Sequence, residues 1–320
     1  MKYAYFGHHK GASTWIRTIV EQVLREAGFT YSIVVDPAAP QGRGPLTDYR
    51  STFSREELRA HASERGVDFL SCITADAEQA AALLGSGTGT RGFHVIRDPR
   101  DVLVSAYFSH RNSHTVEGLP HFAEHRASLQ EVSTEEGLML EMDFSAQCLL
   151  DMKTWDYDQA SVLELKMEEL TARPYEGFLE IFEFLGLMSW DGTYRMREKS
   201  AHFARTALNR LSRRHPLLDP LRRPVAITGE MLLGRVYDHR FEKKARGRKA
   251  GQSDVNSHYR KGVAGDWINH FKREHAEHFV DRFGDLLQVT GYETSDDCIA
   301  ATAVPASAPS FRSSLRSSSL

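Results

Sequence analysis

The chain holds three cysteines, Cys72, Cys148 and Cys298, an odd number with no Cys-x-x-Cys spacing. Neither a disulfide framework nor a thiolate zinc cluster is indicated, and the three read as small buried hydrophobes. No run approaches the ~20 apolar residues of a membrane-spanning helix, and no apolar stretch leads into a small-residue cleavage site. The expectation is a cytoplasmic protein without a membrane span. Strong overall charge is missing too, since 40 Lys and Arg stand against 43 Asp and Glu for a formal net charge of −3. No internal repeat is visible.

With 320 residues, 41% of them hydrophobic, the chain can bury a sizeable core. Lys2 to Phe6 reads as a strand ending at Gly7, and Thr14 to Glu26 places Trp15, Ile16, Ile19, Val20, Val23 and Leu24 on one helical face. Further strands are expected at Tyr31 to Val35, Val67 to Ile73, Phe93 to Ile96 and Val162 to Leu165. Helices are expected from Ala75 to Leu84, from Asp101 onward and before Gly186, and Ser54-Arg55-Glu56-Glu57 has the form of a capping box. Alternating strands and helices argue for an α/β domain with a parallel sheet, whose ligand sits at the carboxyl ends of the strands.

Two polar loops fall on such ends. In "FGHHKGASTW", Gly7 and Gly11 bracket a tight turn into a helix whose first N–H groups are free to hold an anion. Lys10 adds a point charge, and Ser13 and Thr14 add hydroxyls. The loop misses the nucleotide triphosphatase pattern, because Lys10 is followed by Gly11-Ala12 rather than by a magnesium-holding hydroxyl. In "RDPRDVLVSAYFSH", Arg97 stands at a strand end and Ser105 about one turn into the next helix, a pairing suited to a second phosphate. "YRKGVAGDWINHF" offers Arg260 and Lys261 beside Gly262, able to close over a phosphate.

The three segments together resemble the sulfotransferases that use 3′-phosphoadenosine 5′-phosphosulfate, over about Tyr3 to Phe283. The resemblance implies a P-loop-like three-layer domain that transfers a sulfuryl group to a hydroxyl or amine without a metal. It implies that Lys10 meets the 5′-phosphosulfate and the leaving oxygen, that Gly11, Ala12, Ser13 and Thr14 supply donors, and that Trp15 stacks on adenine. Arg97, Ser105, Arg260, Lys261 and Gly262 are implied to bind the 3′-phosphate. A tyrosine that touches adenine in the family falls at about Lys166, and an adenine-packing phenylalanine at about Phe203.

The family's Lys-Thr-His segment is absent: counting back from Arg97 reaches Thr74. The base that takes the acceptor's proton is therefore open among Asp76, just after the third strand, His9, beside Lys10, and His110 or His114 further along. Strand alternation disfavours His8. His110 and His114, and His121 and His125, recur at one-turn spacing; the first two are expected along the acceptor pocket rather than around a metal.

From Arg195 to Lys261, 18 Lys and Arg stand against 6 Asp and Glu. Few aromatics interleave, so a cap over anionic ligands is expected at about 195–258 rather than a nucleic-acid surface. The domain is expected to span 1–295, with a disordered Ser- and Ala-rich tail over 296–320. The acceptor class is a small-molecule, saccharide or lipid hydroxyl. A P-loop phosphotransferase or nucleotide hydrolase, or a non-catalytic nucleotide-binding module, are the competing readings.

Overall fold

The computed structural model describes residues 2–34, 50–51, 66–85, 89–188, 196–212, 214–293 and 295–302. Its centre is a sheet of six strands: β1 (Tyr3–Gly7), β2 (Tyr31–Val34), β3 (Arg50–Ser51), β4 (Phe69–Cys72), β5 (Arg91–Ile96) and β6 (Val162–Lys166). They lie in the order β3-β2-β4-β1-β5-β6, and every pairing is parallel. This is the expected α/β architecture of a central parallel sheet covered by helices. Of the expected elements, Val35 and the capping box at Ser54 to Glu57 lie outside the described residues.

Both faces of the sheet are dry, which is why its strands read as apolar runs. Tyr5, Phe69, Phe93 and Val95 point to one side, against Ile16, Ile19 and Val23 of helix α1 (Ser13–Glu26) and Phe178, Ile181 and Phe182 further along. Ala4, Phe6, Leu70 and Cys72 point to the other, against Leu83 of α2 (Ala77–Leu84) and Trp155. A third apolar cluster joins α3 (Pro99–Phe108) to the carboxyl-terminal helices through Leu103, Tyr107, Phe279 and Phe283. Helix α3 starts earlier than periodicity suggests, because the Asp98 carboxylate caps the Arg100 N–H and Pro99 occupies the first turn.

The basic stretch carries helices at Met196–Ser212, Gly229–Asp238 and Phe241–Lys244, joined by turns and irregular segments where described. It is fastened to α1 by Glu26, whose carboxylate accepts from both Arg210 and Arg235, and by the buried Leu232 and Val236. Near the carboxyl end, order continues past the boundary at 295 that composition suggests. Ser295–Thr302 forms a helix whose Cys298 is fully buried in the third cluster, beside Arg100, which Glu293 also holds.

Truncation before Ser295 is therefore expected to lower Tm by on the order of 5 °C, since it uncovers about 2 kcal/mol of apolar burial. Scanning fluorimetry reads this directly, and an unchanged Tm would show that the helix contributes nothing to the fold.

Candidate active site

The chain leaves β1 at Gly7 and enters α1 at Ser13, and this short crossing is bent twice into the left-handed region. Lys10 has φ 61° and Ala12 has φ 58°, at a cost of about 1 kcal/mol for each non-glycine residue. Between them the Gly11 N–H donates to the His8 carbonyl, and a Cβ on Gly11 would stand 3.2 Å from that same oxygen. Ala12 caps α1 with no side-chain hydrogen bond, and no acidic residue occupies the first turn. The helix's leading N–H groups thus face outward as an anion cradle.

Three consecutive side chains leave this turn for three partners. His8 is buried and meets His94 of β5, Nε2 to Nε2, at 2.8 Å; His94 Nδ1 lies 2.6 Å from Glu164, which also accepts from the Trp155 indole. Burial pushes Glu164 up to about 7 and His94 down to about 3. His9 meets His110, again Nε2 to Nε2, at 2.9 Å, and His110 Nδ1 lies 3.0 Å from both oxygens of Glu141. Lys10 donates to Ser109 Oγ at 2.6 Å. Ser109 opens a π-helical turn, Ser109–Ser113, that continues α3, a distortion common at functional sites. Burial lowers Lys10 to about 8, with Glu141 opposing the shift and Arg97 adding to it.

Arg97, at the end of β5, reaches the Lys10 carbonyl at 3.3 Å and lies 3.6 Å from Asp101. Its buried Nε has no partner among the described residues. Asp101 also accepts from the backbone N–H groups of Gly265 (2.7 Å) and Trp267 (2.9 Å), which ties the 260–267 turn to α3. In that turn Arg260 and Lys261 both donate to Asp266; burial opposes, but the hydrogen bonds from His270, Lys261 and Arg260 hold its carboxyl far below the usual range. Arg260 also lies over the Phe108 ring at 4.6 Å. Gly262 has φ 68°, and any Cβ there would collide with the Phe241 ring.

These segments line one cavity of about 850 Å³. Its wall contains Lys10, Ala12, Ser13, Thr14, Trp15, Arg97, Ser105, Arg260, Lys261 and Gly262, together with His9 and His114. The Trp15 indole N–H is engaged by the His239 carbonyl at 2.9 Å. Asp76 is not in the wall: it caps α2, accepting from the Gln79 N–H at 2.8 Å. Lys166 instead donates to the Gly291 carbonyl and packs on the Tyr292 ring, and Phe203 is 75% exposed on the 196–212 helix. Neither position touches the cavity, and the aromatic ring beside Gly262 is Phe241.

Ser109, Phe241 and His258 escape sequence reasoning, although the Ser-His pair following Ser105 is the nearest signal for Ser109. The histidines also converge more than one-turn spacing shows. His9, His110 and His114 offer nitrogens within 4.8 Å of one another, as His110, His125 and Glu141 offer ligand atoms. In the second group the atoms already bond one another.

Comparison with known proteins adds a family. Residues 90–218 match the family model described as the sulfotransferase domain. That stretch of the chain is sulfotransferase-like. It carries Arg97, Ser105, Ser109 and the histidine turn; Lys10 and the 260–262 turn lie outside the matched sulfotransferase stretch and are joined to it by the cavity. No curated protein matches the chain. Among solved structures it is similar to mouse sulfotransferase SULT7A1 complexed with PAP, at 14% identity and TM-score 0.47, over 95% of this chain and 89% of that one. It is similar also to a retinol dehydratase in complex with androsterone and inactive cofactor PAP, at 15% identity and TM-score 0.45, over 90% and 80%.

Because Lys10 is depressed to about 8, its charge is present at neutral pH and lost as pH rises through that value. Affinity of the loop for pyrophosphate is expected to fall above pH 8, and Lys10→Ala to abolish that step. Calorimetry across pH 6.5–9.5 checks it; a flat profile in the unsubstituted protein would remove Lys10 from the anion site.

Proposed function

We propose that the protein transfers a sulfuryl group from 3′-phosphoadenosine 5′-phosphosulfate to a hydroxyl or amine of a small acceptor. The observation that carries this is the single cavity in which the Lys10 cradle, the Arg97 and Ser105 pair and the Arg260-Lys261-Gly262 turn meet within the wall of a sulfotransferase-like domain.

The residues present suit such a donor. Two anionic ends are matched by two cationic sites: the left-handed turn with Lys10, and Arg97, whose Nε has no partner among the described residues, with Ser105 and the 260–262 turn. Arg97 bridges them, since it contacts the Lys10 carbonyl. Trp15 and Phe241 line the same wall and supply apolar faces for a base.

In the reaction, the acceptor oxygen forms a bond to sulfur as the bond from sulfur to the 5′-phosphate oxygen breaks, and the electron pair leaves with the phosphate. Lys10 and the first-turn N–H groups of α1 stabilise that charge, with Ser109 holding the Lys10 ammonium in place. Less charge gathers at a transferring sulfuryl than at a phosphoryl group, so fixed donors serve where a kinase needs magnesium. His9 takes the acceptor's proton. It lines the cavity next to Lys10, whereas Asp76 is engaged as a helix cap.

Transfer of labelled sulfate from the donor to a panel of phenols, alcohols, sugars and lipid hydroxyls tests this reading. Lys10→Ala is expected to cut kcat by about 10²–10³-fold, the range for removing one oxyanion donor. Arg97→Ala is expected to weaken binding of the desulfated nucleotide by about 2 kcal/mol. Failure of the unsubstituted protein to bind that nucleotide would sink the proposal.

A further inference from the structure

His9 is only the front of a buried chain. Behind it His110 is 1% exposed and Glu141 fully buried, deep in a helix that spans Thr134–Phe144. A lone carboxylate there costs several kcal/mol. Glu141 is instead surrounded by donors: His110 Nδ1 at 3.0 Å to both oxygens, His125 Nε2 at 2.9 Å and Ser145 Oγ at 2.5 Å. Burial pushes Glu141 up, but the hydrogen bonds from His110, His125 and Ser145 prevail and hold it below the ordinary carboxylate range. It is therefore an anion and accepts from every neighbour.

That sign propagates along the chain. Burial pushes His110 down, with Glu141 opposing, so this ring is neutral too; an anionic Glu141 then requires its one proton on Nδ1, which leaves Nε2 of His110 as a lone pair. His9 Nε2, 2.9 Å from that lone pair, must then carry its own proton. Burial, followed by the charges of Lys10, His110, His114 and His258, pushes His9 down, so the imidazole is neutral. Its remaining nitrogen, Nδ1, then holds the only lone pair, and no partner among the described residues engages it. His114 fixes the ring's plane, stacked on it with centroids 5.5 Å apart at 21°.

We propose that Glu141 and His110 are positioning residues that lock His9 as its Nε2–H tautomer and so present Nδ1 as the base for the acceptor's proton. This rests on the sulfuryl-transfer reading. The chain also answers an electrostatic difficulty, since a histidine adjacent to Lys10 gains a proton only against repulsion. When His9 becomes an imidazolium, its Nε2–H stays on His110 and the Nδ1–H of His110 stays on Glu141, whose negative charge offsets the new positive one. The groups facing His9 that shape its titration are Lys10, His110, His114 and His258, with Glu141 one ring behind.

The test is Glu141→Gln, nearly isosteric, in the full-length chain. Long-range ¹⁵N–¹H NMR on histidine-labelled protein is expected to show His9 protonated at Nε2 in the unsubstituted protein and a mixture of tautomers in the variant. Turnover at saturating donor is expected to fall about 10²–10⁴-fold, as when a histidine base loses its orienting carboxylate, while affinity for the desulfated nucleotide stays within two-fold. The acid limb of the kcat/KM profile should shift in the same variant. His9 protonated at Nδ1, or a Glu141→Gln protein that turns over at the unsubstituted rate, overturns the proposal. So does stoichiometric cobalt(II) binding with tetrahedral absorption bands and raised turnover, which would make His9, His110 and His114 metal ligands. Loss of nucleotide binding in the unsubstituted protein is a separate result and falls on the sulfuryl-transfer reading, because the NMR assignment does not depend on it.

Discussion

Everything in the site depends on the turn that joins β1 to α1. Left-handed backbone at Lys10 and Ala12 lets three consecutive side chains diverge to the sheet, to the histidine turn and to Ser109. An extended path through the same residues would alternate two faces and could not serve three. Each of the two histidines joins a second histidine and then a glutamate, Glu164 half-buried and Glu141 fully buried, so the turn is held from both sides. The strain at Lys10 and Ala12, about 1 kcal/mol each, is small beside those contacts.

Opposed charges set the other half of the cavity. Asp101 faces Arg97 and also accepts two backbone N–H groups of the 260–267 turn, so the arginine and the turn share one anchor. Asp98 and Glu293 grip Arg100, which lies over the Trp267 ring at 3.7 Å, and so join the same turn to the carboxyl-terminal helix. The cationic wall of the cavity and the last described helix are in this way one mechanical unit.

Much of this was legible in the sequence because it is local. Strand alternation, the glycine at the first turn and the placement of Arg97 and Ser105 after a strand all depend on near neighbours. The α/β sheet followed from the same patterning. What stayed hidden is long-range: His9 and His110 are 101 residues apart, Lys10 and Ser109 are 99 apart, and no periodicity links them. Asp76 illustrates the converse, since a carboxylate one residue before a helix satisfies the pattern of a cap and of a base alike, and only its Gln79 bond separates the two. Lys166 and Phe203 match the family's adenine contacts only by distance along the chain, a measure that does not see which way a side chain turns. The helix at Ser295–Thr302 is hidden by the Ser- and Ala-rich composition around it, although Cys298 is buried in the core and Ile299 and Ala301 pack against it.

Asp266 has a consequence for selectivity. Because it already engages Arg260 and Lys261, the turn is not a bare positive surface. A chloride ion gains nothing by trading places with a carboxylate, whereas a dianion brings twice the charge to the same two cations. The internal carboxylate therefore sets a threshold, since an anion gains these two cations only by offering them more charge than Asp266 already does.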